Sequence, residues 1–186
     1  MNLSEKIKAF LFDIDGTLVN RQLLMTDNLR EAIITLKKKG YHVSINTGRP
    51  YSASRQVMAK NDAVELFEYY FGSNGVEIYD TAKKEKRYVA FIAPETLKDL
   101  DPQFREDYLA LALYDDNGHI LFNHLPSNKE AVDFWCKVRF CTPVEYDYQK
   151  NERSFPKAAL LFETERRKEF EEKMKAFSDE RVDLFF

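Results

Sequence analysis

The chain has 186 residues, 44% apolar and 14% aromatic, with 28 basic and 31 acidic side chains and a net charge of −3. That is material for one large domain or two small ones with real cores, and it offers no positive excess to grip a nucleic-acid backbone or an anionic membrane. No apolar run approaches the roughly 20 residues that span a bilayer, no secretory signal opens MNLSEKIKAFLF, and two cysteines, Cys136 and Cys141, are too few for a disulfide framework, so a cytoplasmic protein with free thiols is expected.

Residues 7–13 (IKAFLFD) form a short continuous apolar run of the parallel-sheet type. Residues 27–39 carry Leu29, Ala32, Ile33 and Leu36 at helical spacing, end on three lysines and stop at Gly40. A second strand follows over 41–46, a second helix over 51–60 after Pro50, and a third strand over 69–72. This β-α-β-α-β alternation predicts parallel strands with right-handed crossovers. Ligands in such sheets bind beyond the carboxyl ends of the strands, where Asp13 and Thr47 both lie.

After Asn74-Gly75 the pattern changes. Residues 76–80 and 86–92 read as a hairpin, and a helix is expected within 94–106. Strands over 108–114 and 119–123 flank the turn signal DDNG. Ser127 and Glu130 make a capping-box pattern for a helix that puts Val132, Trp135 and Cys136 on one side. A strand over 157–163, a helix over 165–177 with pairs Glu169–Lys173 and Glu171–Lys175, and a final strand in VDLFF complete the reading. The boundary is expected near residue 80: a parallel α/β unit over 1–80, then an α+β unit over 81–186.

The stretch FLFDIDGTLV poses the chemical question. A buried strand does not carry two carboxylates without partners, because an unpaired buried charge is expensive. At a strand end, however, Asp13 and Asp15 can hold a hard cation such as Mg2+ through oxygen ligands, beside a phosphate. Asp13 can then attack phosphorus, while Asp15 protonates the leaving oxygen and activates water. Gly16 permits the sharp bend and bares backbone N–H groups to phosphate oxygens. Thr47 and Gly48, after the next strand, supply a hydroxyl and N–H groups at a helix N-terminus for the same anion. Arg49 at this rim, and Asn74 on the loop leaving the third strand, are candidate substrate contacts. A bare D-x-D arises by chance in solvated turns. D-x-D-G-T after one apolar strand with T-G-R after the next is far more specific.

FLFDIDGTLV, INTGRP and FGSNGVEIYD together resemble the haloacid-dehalogenase (HAD) superfamily of phosphohydrolases, in particular its Cof-type group with a type IIB cap. The resemblance implies a Rossmannoid parallel core with an α+β cap of type C2 over about 81–186. It implies Asp13 as nucleophile, Asp15 as general acid/base, Thr47 with Gly48 on the phosphate, and Mg2+ held by the Asp13 side chain and the Asp15 carbonyl. The implied substrate is a small phosphorylated metabolite such as a sugar phosphate, bound under a cap that sets specificity.

The family's third motif, a lysine, and its fourth, an acidic G-D-x-x-N-D, are not found. Lys157 precedes a strand and is expected to face solvent. Asp115 and Asp116 belong to a turn, and Asp179 and Asp183 match no such pattern. The sequence therefore reads as an incomplete core, truncated after the cap. A weakly active or inactive chain, or a pseudoenzyme, is the alternative to a working phosphatase, and the apolar edge of the incomplete sheet invites self-association. A nucleotide-sugar transferase using D-x-D is a third reading, against which D-G-T and T-G-R both argue.

Overall fold

A computed structural model describes residues 7–115 and 119–182. Two compact units divide between Val89 and Ala90.

The first unit is built on a five-stranded sheet in the order β1-β2-β3-β4-β5. Strand β1 (Ala9–Phe12) runs parallel to β2 (His42–Asn46), which runs parallel to β3 (Tyr69–Gly72). The crossovers are helices α1 (Asp27–Lys38) and α2 (Tyr51–Lys60). Strand β2 is central, and Val43 and Ile45 are fully buried in it. Ser44 between them is buried as well, so the strand is covered on both faces although HVSIN alternates polar and apolar residues. Strand β1 is instead the sheet's edge, alternating exposed and half-buried residues, with Leu11 55% exposed. Helix α1 starts where Thr26 accepts a hydrogen bond from the Leu29 N–H, and Gly40 takes the left-handed conformation (φ 82°) just past its end. Ile33 is its buried anchor.

Strand β4 (Glu77–Asp80) folds back antiparallel on β3, and β5 (Glu85–Tyr88) pairs antiparallel with β4. The hairpin read over 76–92 therefore extends the first sheet. The units divide after it rather than near residue 80, because its backbone hydrogen bonds run to β3.

The second unit opens with α3 (Pro94–Leu100), continued by a 3-10 turn over Asp101–Phe104. Its sheet has the order β10-β7-β8-β9, with the short β6 (Arg105–Glu106) also on β7. Strands β7 (Leu109–Tyr114) and β8 (His119–Phe122) are antiparallel. Of the turn read at DDNG, residues 116–118 lie outside the described residues. Helix α4 (Lys129–Arg139) is capped by Asn128, whose Oδ1 accepts from the Ala131 N–H at 3.0 Å, not by Ser127. Strand β9 (Thr142–Glu145) runs parallel to β8 and escaped the sequence reading, its proline and flanking charges masking a four-residue strand. Strand β10 (Ala158–Phe162) and α5 (Arg167–Ala176) close the unit. On α5 the ion pairs are Arg166–Glu169, Arg167–Glu171 and Lys173–Glu106 rather than Glu169–Lys173 and Glu171–Lys175. Residues 183–186 of the strand read in VDLFF are outside the described set.

The second core gathers Leu97, Leu109, Leu113, Tyr148 and Phe170 on one face of the sheet. Ile120, Phe122, Val132 and Cys136 fill the other, where Trp135 packs half-buried on Phe122. Among the described residues no helix is long and apolar enough to cross a membrane.

Candidate active site at the strand ends of the first unit

The loop after β1 resolves the paradox of its two carboxylates by alternation. Ile14, Leu18 and Val19 are 0%, 1% and 3% exposed, while Asp13, Asp15, Gly16 and Thr17 face outward. The chain doubles back at once. The Leu18 and Val19 N–H groups both donate to the Ile14 carbonyl at 3.0 Å, and the Gly16 N–H donates to the Val19 carbonyl at 3.0 Å. Gly16 sits at φ 76°, a conformation that L side chains rarely adopt, so this turn needs glycine. Three buried apolar anchors thus hold two exposed carboxylates at the end of an edge strand.

The second loop, Thr47–Pro50, follows β2. The Thr47 N–H donates to the Phe71 carbonyl at 2.9 Å, extending the β2–β3 ladder, and Thr47 is 5% exposed. Its Oγ1 accepts from the Arg49 N–H at 3.3 Å. The segment after β3 clamps this loop. The Ser73 N–H donates to the Arg49 carbonyl at 2.8 Å, and the Asn74 N–H donates to the Thr47 carbonyl at 3.1 Å. Ser73 and Asn74 both lie at positive φ (53° and 61°) to do so. A Cβ on Gly48 would come within 2.9 Å of Asn74 Oδ1. Any side chain at 48 would therefore push the Asn74 amide aside.

Arg49 joins the two loops. Its Nε donates to Asp15 Oδ2 at 2.7 Å and its Nη2 to Asp15 Oδ1 at 2.8 Å, the bidentate geometry of a strong guanidinium–carboxylate pair. The arginine side chain is only 13% exposed while that of Asp15 is 51% exposed. Asp13, Asp15, Gly16, Thr47, Gly48, Arg49 and Asn74 thus all belong to the loops at this one rim.

One functional detail of the rim was not read from the sequence. Helix α2 has Pro50 as its N-cap, with no side-chain cap of its own. The Tyr51 N–H is taken instead by Glu77 Oε2 at 2.6 Å, a carboxylate arriving from β4 and 3% exposed. The first N–H of the helix is therefore taken by a protein anion. The sequence shows only an acidic residue inside the aromatic and apolar run VEIY, with nothing local to name its partner. Beneath the loop, Tyr51 stacks on Tyr79 at 3.8 Å, and burial, reinforced by the hydrogen bond to Tyr79, pushes the Tyr51 hydroxyl up.

The other titratable candidates are engaged elsewhere. His42 pairs with Glu68 at 2.8 Å, His119 with Asp115 at 2.9 Å, and His124 meets the Glu106 carbonyl at 2.9 Å. Lys157 is half-buried at the start of β10 rather than solvent-facing, and burial pushes its ammonium down. Cys136 and Cys141 are free thiols, and burial raises Cys136 to about 11, which makes it a poor nucleophile. Among the described residues no group of three or more His, Cys, Asp or Glu gathers to form a closed metal site. The donors at the rim fit Mg2+ in kind, being exposed hard oxygens, and they are a partial set.

Paired aspartates after the first of three parallel strands and a threonine–glycine–arginine loop after the second thus stand at one end of an α/β sheet. The haloacid dehalogenase-like hydrolase family matches residues 10–185, and the chain belongs to that family. It is 36% identical over 75 residues to the 5-amino-6-(5-phospho-D-ribitylamino)uracil phosphatase YcsE of Bacillus subtilis, covering 40% of this chain and 29% of that protein. It is 28% identical over 154 residues to YxeH of the same organism, covering 83% of this chain and 55% of that one. The chain thus spans about half the length, or less, of the curated relatives it matches. Among solved structures, SMU.1108c from Streptococcus mutans superposes with a TM-score of 0.71 at 18% identity, covering 92% of this chain and 63% of that one. The HAD subclass IIB sugar phosphatase BT4131 gives a TM-score of 0.67 at 22% identity, covering 90% and 64%. These likenesses establish a HAD-like α/β fold.

Proposed function

We propose that this protein is a Mg2+-dependent phosphohydrolase acting on a small phosphorylated metabolite of the sugar-phosphate kind, through an aspartyl-phosphate on Asp13. The observation that carries the reading is the convergence of Asp13, Asp15, Thr47, Gly48 and Arg49 on one rim, with Asp15 held by Arg49 through two hydrogen bonds. Membership of a hydrolase family and the phosphatase name of a relative support it.

An Asp13 carboxylate oxygen attacks phosphorus and the ester P–O bond breaks, its electrons leaving on the substrate oxygen. Asp15 delivers a proton to that oxygen, then takes one from the water that hydrolyses the aspartyl-phosphate and frees inorganic phosphate. Both Asp15 oxygens lie on the Arg49 guanidinium, so one of them has to leave the pair to carry the proton. The Thr47 hydroxyl and the Gly48 segment hold the phosphate oxygens. The Tyr51 N–H at the start of α2 does not serve, because Glu77 already takes it. Gly16 lets its loop face the same anion, and Asn74 borders the substrate through Gly48. The Asp13 side chain and the Asp15 carbonyl would hold Mg2+, which would supply charge to offset the repulsion between carboxylate and phosphate.

The second unit, 90–186, is read as the type IIB cap that selects the substrate, and the first, 1–89, as the core. The free thiols and the class of substrate favour a cytoplasmic protein, with no nucleic-acid or membrane partner. The open apolar edge of β1 supports self-association. The test is Mg2+-dependent release of phosphate from a panel of sugar phosphates, compared with the Asp13→Asn variant. Turnover that is equal in the two proteins would reject the reading.

A further inference from the structure

We propose that Glu77 is a positioning residue for the phosphoryl-transfer rim: it caps α2 from the neighbouring sheet, fixes the Thr47–Arg49 loop, and through Arg49 sets the direction of Asp15. The inference rests on the reading of Asp13 and Asp15 as the reacting pair.

A helix start leaves N–H groups without intrahelical partners, and a serine, threonine, aspartate or asparagine at the cap ordinarily takes one of them. Pro50 has no side-chain oxygen to offer. Glu77, first residue of β4, fills the role at 2.6 Å from the Tyr51 nitrogen. Its carboxylate is 3% exposed and meets the positive end of α2, the favourable sense for an anion at a helix N-terminus. Lys86 of β5 lies 3.7 Å from its second oxygen and balances the charge. A glycine is built in to admit the group: a Cβ on Gly72 would lie 3.0 Å from Glu77 Oε2, 3.0 Å from the Arg49 carbonyl and 3.1 Å from the Tyr51 nitrogen.

The consequence for Arg49 follows from chain connectivity. Arg49 sits two residues before Tyr51, its carbonyl tied to the Ser73 N–H, so it is fixed between two anchors supplied by 73–77. A bidentate pair needs the guanidinium held in both position and direction, and the Arg49 backbone is what its side chain is held from. Releasing the Tyr51 anchor frees one side of Arg49 and loosens the guanidinium on Asp15.

The experiment uses the full chain and the variants Glu77→Ala, Glu77→Asp and Glu77→Gln. The first readout is the Arg49 Nε–H resonance, assigned by its loss in Arg49→Ala. In the parent chain this proton, locked on Asp15, exchanges slowly with water and is shifted from the other arginines. It is expected to collapse to the exposed-arginine position in Glu77→Ala and in Glu77→Asp, which keeps the charge but is one methylene too short. Glu77→Gln retains an oxygen at the right reach and is expected to keep the signal. If Glu77→Ala does not fold, Glu77→Asp carries the test. The second readout is turnover of an aryl phosphate with Mg2+: kcat is expected to fall about tenfold in Glu77→Asp with KM within twofold. Combining Glu77→Asp with Arg49→Ala is expected to cost no more than Arg49→Ala alone, the non-additivity of residues acting through one another. An unchanged Arg49 signal in a folded Glu77→Asp protein, or fully additive losses, overturns the proposal. Absence of Asp13-dependent turnover, with the Arg49 signal responding as described, counts against the functional reading and leaves the positioning role standing.

Discussion

In the first unit the Asp13 and Asp15 side chains stand exposed at a strand end, whereas in the second the Asp101 side chain is 4% exposed and spoken for on every side. Asp101 accepts from Arg105, from Asn123 Nδ2 at 3.0 Å and from Gln149 Nε2 at 3.1 Å. Asn123 also accepts from the Leu111 N–H at 2.9 Å, and the Tyr148 hydroxyl donates to the Leu121 carbonyl at 2.7 Å. Buried polar groups with all partners present fix a fold. Exposed carboxylates converging with an arginine and a threonine are available to a substrate. The two arrangements predict opposite responses to substitution, one in activity and one in stability.

The sharpest break of that contrast is Asp13→Asn. It is expected to lower Mg2+-dependent turnover by at least about 10³-fold, as loss of a covalent nucleophile does, with the melting temperature unchanged. Asn123→Ala in the second unit is expected to do the reverse. It strands the Leu111 N–H in the core, removes the amide bonds to Asp101 and to the Phe104 carbonyl, and costs about 3 kcal/mol in urea unfolding, with little effect on phosphate chemistry in the folded fraction. Tyr148→Phe, losing one buried hydroxyl, is expected to cost about 1 kcal/mol by the same measurement. Leu11→Lys, on the open edge of β1, is expected to lower self-association in light scattering without altering the circular dichroism spectrum. The smallest effect is one of pH. The Arg181 guanidinium holds Asp179 at about 2, against its ordinary value of 3.8. A lowered folded value means stability that is present above 3.8 and lost as pH falls towards 2. Asp179→Asn is expected to flatten that acid limb slightly in a pH series of thermal melts.

What the sequence revealed tracks the same division. The helix over 51–60 and the strand over 69–72 stand where they were read, because apolar spacing and Pro50 or Gly72 bound them tightly. The aspartates and the T-G-R loop stood out because a core rejects such residues, and the structure places both at the ends of parallel strands. Glu77 did not, because its partner is a backbone N–H 26 residues away and no local pattern encodes it. The two-residue β6 and the proline-bearing β9 lack the length for a periodic signal. The Asn128 cap was passed over for Ser127, since both are good capping residues and only the chain's path selects between them. Lys157 looked solvent-facing because a lysine beside a strand usually is, and its burial depends on the packing around β10.

The central claim, that Asp13 forms a bond to phosphorus, is tested most directly by incubating the chain with Mg2+ and an acyl phosphate donor, quenching in acid, and mapping the phosphoryl adduct by peptide mass spectrometry. The predicted result is an acid-stable adduct on the peptide containing Asp13, lost in Asp13→Asn and retained, slower to hydrolyse, in Asp15→Asn. An adduct that survives Asp13→Asn unchanged, or that maps to another residue, would contradict it.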